Sequence, residues 1–207
     1  MNNAAQIILA IESAVAGGSI SLLRDGVEVA NWIGTSNVSK AEDLLANIDE
    51  LLAQNNFKRN EIGQVAVSAG PGSFTGVRIG LATALGLKSG LGVAISSENV
   101  LRAMAHSRPD LEYVKAVIPM GRGSACVQAF HWPGRELMAA TEPTTMTEDE
   151  LRRAVEEPNA KFLVHTSLAG GTTNAIDFGS NLALAIANLC RANPNKLENP
   201  LFISKTF

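Results

Sequence analysis

The feature that most limits how this chain can fold is an almost uncharged helix that follows a Gly-Pro-Gly turn. Between Val77 and Leu87 the only charged residue is Arg78. Because side chains are spaced 100° apart around a helix, the apolar residues of this segment point in several directions rather than to one face. A helix that is apolar all round must be covered on more than one side. One side can pack on the sheet of its own domain, and another side needs a second cover.

Three small residues, Gly76, Gly80 and Ala84, are spaced four apart along this helix and leave a flat strip. Small residues at this spacing let a second helix approach closely. We predict that the strip lies either against a helix of another molecule or against this chain's own Ser97–His106 helix or C-terminal half. The spacing favours neither cover.

The turn before the helix has two possible roles. Gly70 and Gly72 permit backbone angles that other residues reach only with strain, and either Ser73 or Thr75 can cap the helix. Free amides at a helix start can also hold an anion, which makes Gly72, Ser73 and Thr75 candidate anion or nucleotide ligands. However, no Lys-Ser/Thr pair follows the glycines, so the segment is not a Walker A loop. A structural turn is the favoured interpretation.

Upstream of this turn, the pattern predicts three strands and an amphipathic helix. The strands are predicted at Ile7–Glu12, Ser19–Leu23 and Val27–Ile33, with a turn signal between the last two. Ser39 and Glu42 fit a capping box that begins a helix ending near Asn55. Its apolar stripe consists of Leu44, Leu45, Ile48, Leu51 and Leu52. A fourth strand is predicted at Gln64–Ala69, and the helix after the turn at Phe74–Ser89.

After a strand at Val93–Ile95 and a helix at Ser97–His106, the same order of elements begins again. The predicted elements are strands at Tyr113–Ile118, Ser124–His131 and Glu136–Ala140, a helix from a capping box at Thr147–Glu150 to about Glu157–Pro158, a strand at Lys161–His165 and a helix at Phe178–Arg191. The order βββαβα thus appears twice, and we predict an α/β protein with lobes at residues 1–108 and 109–207. A duplicated βββαβα unit resembles the actin, sugar-kinase and Hsp70 (ASKHA) superfamily.

Composition excludes several classes of function. The net charge is −3 and no basic patch is evident, which disfavours direct RNA binding. Cys126 and Cys190 lack CxxC spacing, and the three histidines are isolated, so neither a disulfide scaffold nor a metal site is predicted. The apolar stretch from Val77 to Ile95 is broken by Lys88 and several glycines. With no positively charged start, we expect a cytoplasmic protein without a membrane span.

An enzymatic role is the main alternative. Catalytic actin-like kinases use carboxylates from both lobes, because phosphoryl transfer depends on charge neutralisation. Here Glu12 is the only acidic residue at the tip of the first strand, and the matching tip, Pro119-Met120-Gly121, has none. We therefore expect no catalytic residue and no cofactor. A nucleotide phosphotransferase that uses Glu12 and the Gly70–Gly76 turn remains the alternative.

The segment Gly70-Pro71-Gly72-Ser73-Phe74-Thr75-Gly76-Val77-Arg78-Ile79-Gly80 resembles the signature of the TsaB family, also called YeaZ. The resemblance implies an actin-like double lobe without a working active site. It implies docking onto TsaD, the catalytic subunit that transfers a threonylcarbamoyl group to tRNA adenosine, together with an ATPase, TsaE. It also implies a homodimer in isolation and only indirect contact with tRNA.

In that family the two helices of the first lobe form the docking face, here the Lys40–Asn55 and Phe74–Ser89 helices. The partner-binding residues so implied are Leu44, Ile48, Leu51, Phe74, Val77, Arg78, Gly80, Leu81, Ala84 and Leu85. The sequence departs from the family pattern at Glu12-Ser13, at Ser39-Lys40 and at Pro119-Met120-Gly121. These departures leave open whether a nucleotide binds, and whether the chain is instead a paralogue that only homodimerises.

Overall fold

A computed structural model of the chain shows two lobes, each built on a mixed β-sheet. It describes residues 7–35, 43–157, 160–170, 172 and 174–201. The predicted capping box at Ser39–Glu42 and the predicted helix end at Pro158 lie outside the described residues.

The first lobe carries a five-stranded sheet in the order β3-β2-β1-β4-β5. Its elements are β1 (Ile7–Glu12), β2 (Ser19–Arg24), β3 (Val27–Ile33), α1 (Leu44–Gln54), β4 (Ile62–Ser68), α2 (Phe74–Leu91), β5 (Ala94–Glu98) and α3 (Val100–His106). The central strand β1 runs antiparallel to β2 and parallel to β4. The predicted strands and helices of this half are therefore confirmed, apart from small shifts at their ends.

The second lobe repeats this topology in the sheet β11-β10-β6-β7-β8. Its elements are β6 (Tyr113–Gly121), β7 (Ser124–His131), β8 (Met138–Ala139), β9 (Thr144–Thr147), α4 (Glu148–Val155), β10 (Phe162–His165), α5 (Thr166–Ala169), β11 (Ile176–Gly179) and α6 (Leu182–Cys190). In both sheets the first strand of the lobe is central, with its hairpin partner on one side and a parallel strand on the other. The duplicated actin-like architecture is confirmed.

Three boundaries predicted from sequence were wrong. The segment predicted as a helix from Phe178 begins with strand β11, and α6 begins only at Leu182 because the Asn181 side chain caps it by accepting a hydrogen bond from the Leu184 amide at 3.2 Å. Similarly, Asn99 caps α3, so the helix predicted from Ser97 begins at Val100. The strand predicted at Glu136–Ala140 is reduced to the short β8, and β9 follows.

The last helix of each half lies between the two sheets and crosses to the other lobe. Helix α3 packs against β6 and β7 of the second sheet, whereas α6 packs against β1, β2, β4 and β5 of the first. The two helices also contact each other. The main hydrophobic core therefore joins the lobes, with Leu101 and Met104 of α3 packed beside Ile186 of α6.

Helices α1 and α2 cover the outer face of the first sheet. Leu44 and Ile48 of α1 and Ala84 of α2 share one buried cluster with strand residues such as Leu9 and Val65. Helices α4 and α5 cover the outer face of the second sheet in the same way. Across the described part of the chain, no helix combines the length and hydropathy needed to cross a bilayer.

Candidate docking surface

The Gly-Pro-Gly turn is built for close backbone approach. Gly70 has φ = +90°, in the region that favours glycine, and a Cβ atom there would lie 2.7 Å from the Leu201 carbonyl oxygen. A Cβ atom at Gly72 would overlap the Ala14 carbonyl group. The Ser73 amide donates to that carbonyl oxygen at 2.7 Å. The turn is thereby fixed against the β1–β2 loop (residues 13–18).

The first two small residues of the strip on α2, Gly76 and Gly80, face the same loop. A Cβ atom at Gly76 would overlap the Ser13 carbonyl group, and one at Gly80 would lie 2.5 Å from the Ser13 hydroxyl oxygen. That hydroxyl donates a hydrogen bond to the Gly76 carbonyl oxygen at 2.9 Å. Both predicted covers for the strip were therefore wrong, because the loop that follows β1 covers Gly76 and Gly80, and Ala84 packs in the cluster on the chain's own first sheet.

Another side of α2 remains exposed. Phe74 is 50% exposed and Leu85 53%, Arg78 is exposed, and Leu81 is half-buried. At 100° per residue these four positions fall within an arc of roughly 60°. We call them the α2 stripe: Phe74, Arg78, Leu81 and Leu85. The expectation that one sheet cannot hide this helix is confirmed for the described residues, because about half of the surface of Phe74 and of Leu85 is open to solvent.

The other predicted docking residues form the support of this surface rather than its exterior. Six of them are buried in the chain's own first lobe, namely Leu44, Ile48, Leu51, Val77, Gly80 and Ala84. The family resemblance implied these six as partner contacts, whereas their side chains pack within the chain's own first lobe. Direct contact between these six residues and a partner stays a prediction. On α1 the exposed apolar side chain is instead Leu45, at 54%.

The candidate anion ligands at the start of α2 are partly engaged within the chain. The Ser73 hydroxyl caps the helix by accepting a hydrogen bond from the Gly76 amide at 3.2 Å. The Ser73 amide is committed to Ala14, as described above. Thr75 is exposed and does not provide the cap. Anion binding at Gly72, Ser73 and Thr75 therefore remains a prediction, whereas the structural role of the turn is evident in its contacts.

A small cleft lies between the lobes, at the ends of β1 and β10. Its volume is about 40 Å³, and Glu12 and His165 line it from opposite lobes. Glu12 is buried, and its Oε1 accepts hydrogen bonds from the Ala14 and Val15 amides at 2.6 and 3.1 Å. Burial raises the pKa of Glu12 to about 7 despite these two bonds, which favour the charged form.

His165 was not identified from the sequence as part of this cleft. Its Nδ1 accepts a hydrogen bond from the Ser167 amide at 3.3 Å, so the ring caps α5. Burial lowers the pKa of His165 and favours the neutral imidazole. Its place at the end of a buried strand in the second lobe, opposite Glu12 in the first, is the signal that could have located it.

Cysteine and metal chemistry have little support in the described residues. Cys126 and Cys190 are both buried thiols, and burial raises the pKa of each to about 12. Such thiols are poor nucleophiles and poor metal ligands. No group of three or more potential metal-ligating side chains occurs within the described ranges.

The chain matches the model of a tRNA-modification family. The model, described as TsaD: tRNA N6-adenosine threonylcarbamoyltransferase, matches residues 38–188. Among curated proteins, the Haemophilus influenzae "tRNA threonylcarbamoyladenosine biosynthesis protein TsaB" is 32% identical over 54% of this chain and 47% of its own length. The Escherichia coli K12 protein of the same name is 28% identical over 68% of this chain and 64% of its own length. The chain thus spans about half to two thirds of these relatives.

Solved structures show the same fold. A Pseudomonas aeruginosa protein described as similar to peptidase YeaZ has a TM-score of 0.66 at 20% identity, covering 90% of this chain and 92% of its own. The structure titled "YeaZ from Pseudomonas aeruginosa" gives 0.63 at 20% identity, with the same coverage. A Clostridium difficile dehydratase activator with bound ADPNP gives 0.51 at 11% identity, over 89% of this chain and 94% of its own. The family model covers well over half of the chain, so the chain belongs to the family that this model describes. Its similarity to several curated TsaB proteins identifies it as a member of the TsaB (YeaZ) group, which is involved in tRNA threonylcarbamoyladenosine biosynthesis.

Proposed function

We propose that this chain is a non-catalytic subunit that docks onto a TsaD-like catalytic subunit and so supports threonylcarbamoyladenosine synthesis on tRNA. The observation that carries the proposal is the partly exposed α2 stripe, which begins within the segment resembling the family signature, at Phe74 and Arg78, and continues to Leu85. A contiguous row of exposed apolar side chains is typical of a surface that binds another protein. A TsaE-like ATPase joins the same assembly, and two copies of the chain pair through this surface when the catalytic subunit is absent.

The geometry of the stripe supports docking. Phe74 and Leu85 stand about three turns apart on one helix face, and Leu45 adds a third exposed apolar side chain on α1. A stable interface covers about 800 Å² on each partner, so it would extend over both helices. The buried residues beneath, such as Ile48 and Ala84, hold the two helices on the sheet before any partner arrives. Such preorganisation reduces the ordering cost of binding.

The interlobe cleft supports a non-catalytic role. Small-molecule sites usually enclose about 300–1,000 Å³, whereas this cleft encloses about 40 Å³. Glu12, the candidate catalytic carboxylate, directs one oxygen to the amides of its own loop. The described residues that line the cleft include none from the Gly70–Gly76 turn, which the phosphotransferase alternative would require.

The first experiment tests the α2 stripe in the purified protein. Leu85→Asp places a charge in the proposed contact, and we expect binding to the TsaD-like subunit of the same organism to weaken more than 100-fold. Because Leu85 is half-exposed, the variant should fold normally. Met138→Asp, at a side chain of similar exposure on the second lobe, serves as the matched control and should bind like the wild type.

The second experiment tests the cellular role. Deleting the gene should remove threonylcarbamoyladenosine from bulk tRNA, as measured by nucleoside mass spectrometry, and the Leu85→Asp gene should fail to restore it. Unchanged nucleoside levels after deletion would instead identify a homodimeric paralogue without the tRNA role. A wild-type protein that stays monomeric in light scattering and never co-elutes with the TsaD-like subunit would contradict the proposal.

A further inference from the structure

We propose that Arg78 is the polar anchor of the docking surface and that it binds a carboxylate group of the catalytic subunit. This inference rests on the proposed function and specifies the chemistry of the partner. It starts from the position of Arg78 among the apolar residues of the α2 stripe and from the contact that its guanidinium group makes there.

The Arg78 guanidinium lies over an aromatic ring. Its Cζ atom lies 3.7 Å from the centroid of the Phe74 ring, one helical turn away. A cation–π contact of this kind does not require a hydrogen-bond acceptor, so the N–H groups of the guanidinium remain available as donors. The side chain is thus fixed in place with its donors available, rather than extended freely into solvent.

Arg78 has no acidic partner in the described part of its own chain. Seven salt bridges link described residues, and none includes Arg78. Helix α2 itself carries two charged residues, Arg78 and Lys88, and both are cationic. The exposed side of this helix is therefore apolar and positive, which calls for an apolar and negative counterpart.

Docking would force this charge to be paired. Arg78 lies between Phe74 and Leu85 along the stripe, so a partner that covers both apolar side chains also removes water from the guanidinium. A charge buried without a partner is strongly destabilising, whereas a hydrogen-bonded pair offsets its desolvation. The planar fork of N–H donors matches the two oxygens of a carboxylate. The catalytic subunit should therefore present an Asp or Glu at this point of the contact.

RNA is a weaker candidate for the same guanidinium. Binding to phosphates depends on clusters of Lys and Arg, but the stripe carries a single cation among apolar side chains and the whole chain has a net charge of −3. The surroundings of Arg78 therefore favour a protein carboxylate.

The test measures affinity for the purified TsaD-like subunit by titration calorimetry or interferometry. Arg78→Gln should weaken binding at least 30-fold, which corresponds to about 2 kcal/mol at 1.4 kcal/mol per tenfold. Arg78→Glu should weaken it further, since two carboxylates would then face each other. Arg135→Gln is the matched control, because Arg135 is an exposed arginine on the second lobe and its replacement changes the net charge equally. Both Arg78 variants should melt within a few degrees of the wild type, because the exposed contact with Phe74 that they lose contributes little to stability.

Charge reversal identifies the partner group. Acidic residues of the TsaD-like subunit are replaced one at a time by Lys and tested against Arg78→Glu, and one replacement should restore at least tenfold of the lost affinity. If both Arg78 variants bind like the wild type while Leu85→Asp does not bind, the inference is overturned and the proposed function stands. If Leu85→Asp also binds normally, both are overturned. Effects confined to self-association or to tRNA binding would assign Arg78 to another contact and overturn the inference.

Discussion

The close approach of Gly76 to the β1–β2 loop yields a quantitative prediction about stability. In Gly76→Ala the added methyl group would overlap the Ser13 carbonyl group, closer by 1 Å or more than the ~3.3 Å at which carbon and carbonyl oxygen normally touch. The backbone at Ser13 is fixed by strand β1, and the Ser13 hydroxyl group holds the backbone at Gly76 through a hydrogen bond. Neither segment can therefore move away from the added methyl group alone. Overpacking of this kind costs 1–3 kcal/mol and occasionally more, and disrupting the buried hydrogen bond adds about 1 kcal/mol. Because alanine is favoured over glycine in a helix by about 1 kcal/mol, we expect a net loss of roughly 2 kcal/mol relative to the wild type.

Urea unfolding followed by circular dichroism measures this loss as a fall in the transition midpoint. Gly86→Ala provides the matched control, because it lies on the same helix and a Cβ atom there would have no neighbour within 4 Å. Alanine is favoured over glycine in a helix by about 1 kcal/mol, so this control should be more stable than the wild type. A Gly76→Ala variant as stable as Gly86→Ala would refute the role assigned to the loop contact.

Two further predictions concern buried carboxylates. Burial raises the pKa of Glu12 from 4.5 to about 7. The folded chain therefore binds the carboxyl proton more tightly than the unfolded chain does. The stabilisation that this gives is complete below pH 4.5 and is lost as the pH rises through 7. The Glu12→Gln side chain has no such proton to lose. Between pH 4.5 and 8 the free energy of unfolding of the variant, measured by urea titration, should therefore rise relative to that of the wild type by about 3 kcal/mol. Parallel pH profiles of the two proteins would contradict the assignment. Lys196→Met removes the 2.9 Å ion pair to Glu98, whose side chain is 5% exposed; because Lys196 itself is partly exposed, the expected loss is about 1–2 kcal/mol. A thermal melt compared with Lys161→Met, at an exposed site, checks this, and equal melting temperatures would show that solvent already satisfies Glu98.

Local sequence patterns predicted most of the architecture. The hairpin of β2 and β3, the strand before the Gly-Pro-Gly turn and the long α2 helix follow directly from hydrophobic periodicity and turn residues. The second lobe was harder, because the run around Ile176 and Phe178 continues into an apolar helix and hides a short strand. Asn181, which caps α6, was the residue that marked the boundary.

The exposed side of α2 was predicted as a region but not residue by residue. Periodicity shows that Leu44, Val77 and Leu85 are apolar helical positions, yet it does not distinguish the side that meets the sheet from the side that meets a partner. That distinction depends on where the β1–β2 loop lies, and the contact between Ser13 and Gly76 joins residues 63 positions apart. The stacking of Arg78 on Phe74 likewise depends on rotamers that spacing does not determine.

The crossing of α3 and α6 makes the two lobes mutually dependent. Each sheet is completed on its inner side by the helix encoded at the end of the opposite half, so a chain cut between them would leave both pieces with an open apolar layer. The two halves therefore cannot be separated without opening the core of each. The half that carries the proposed binding surface depends for its own fold on a helix encoded in the other half.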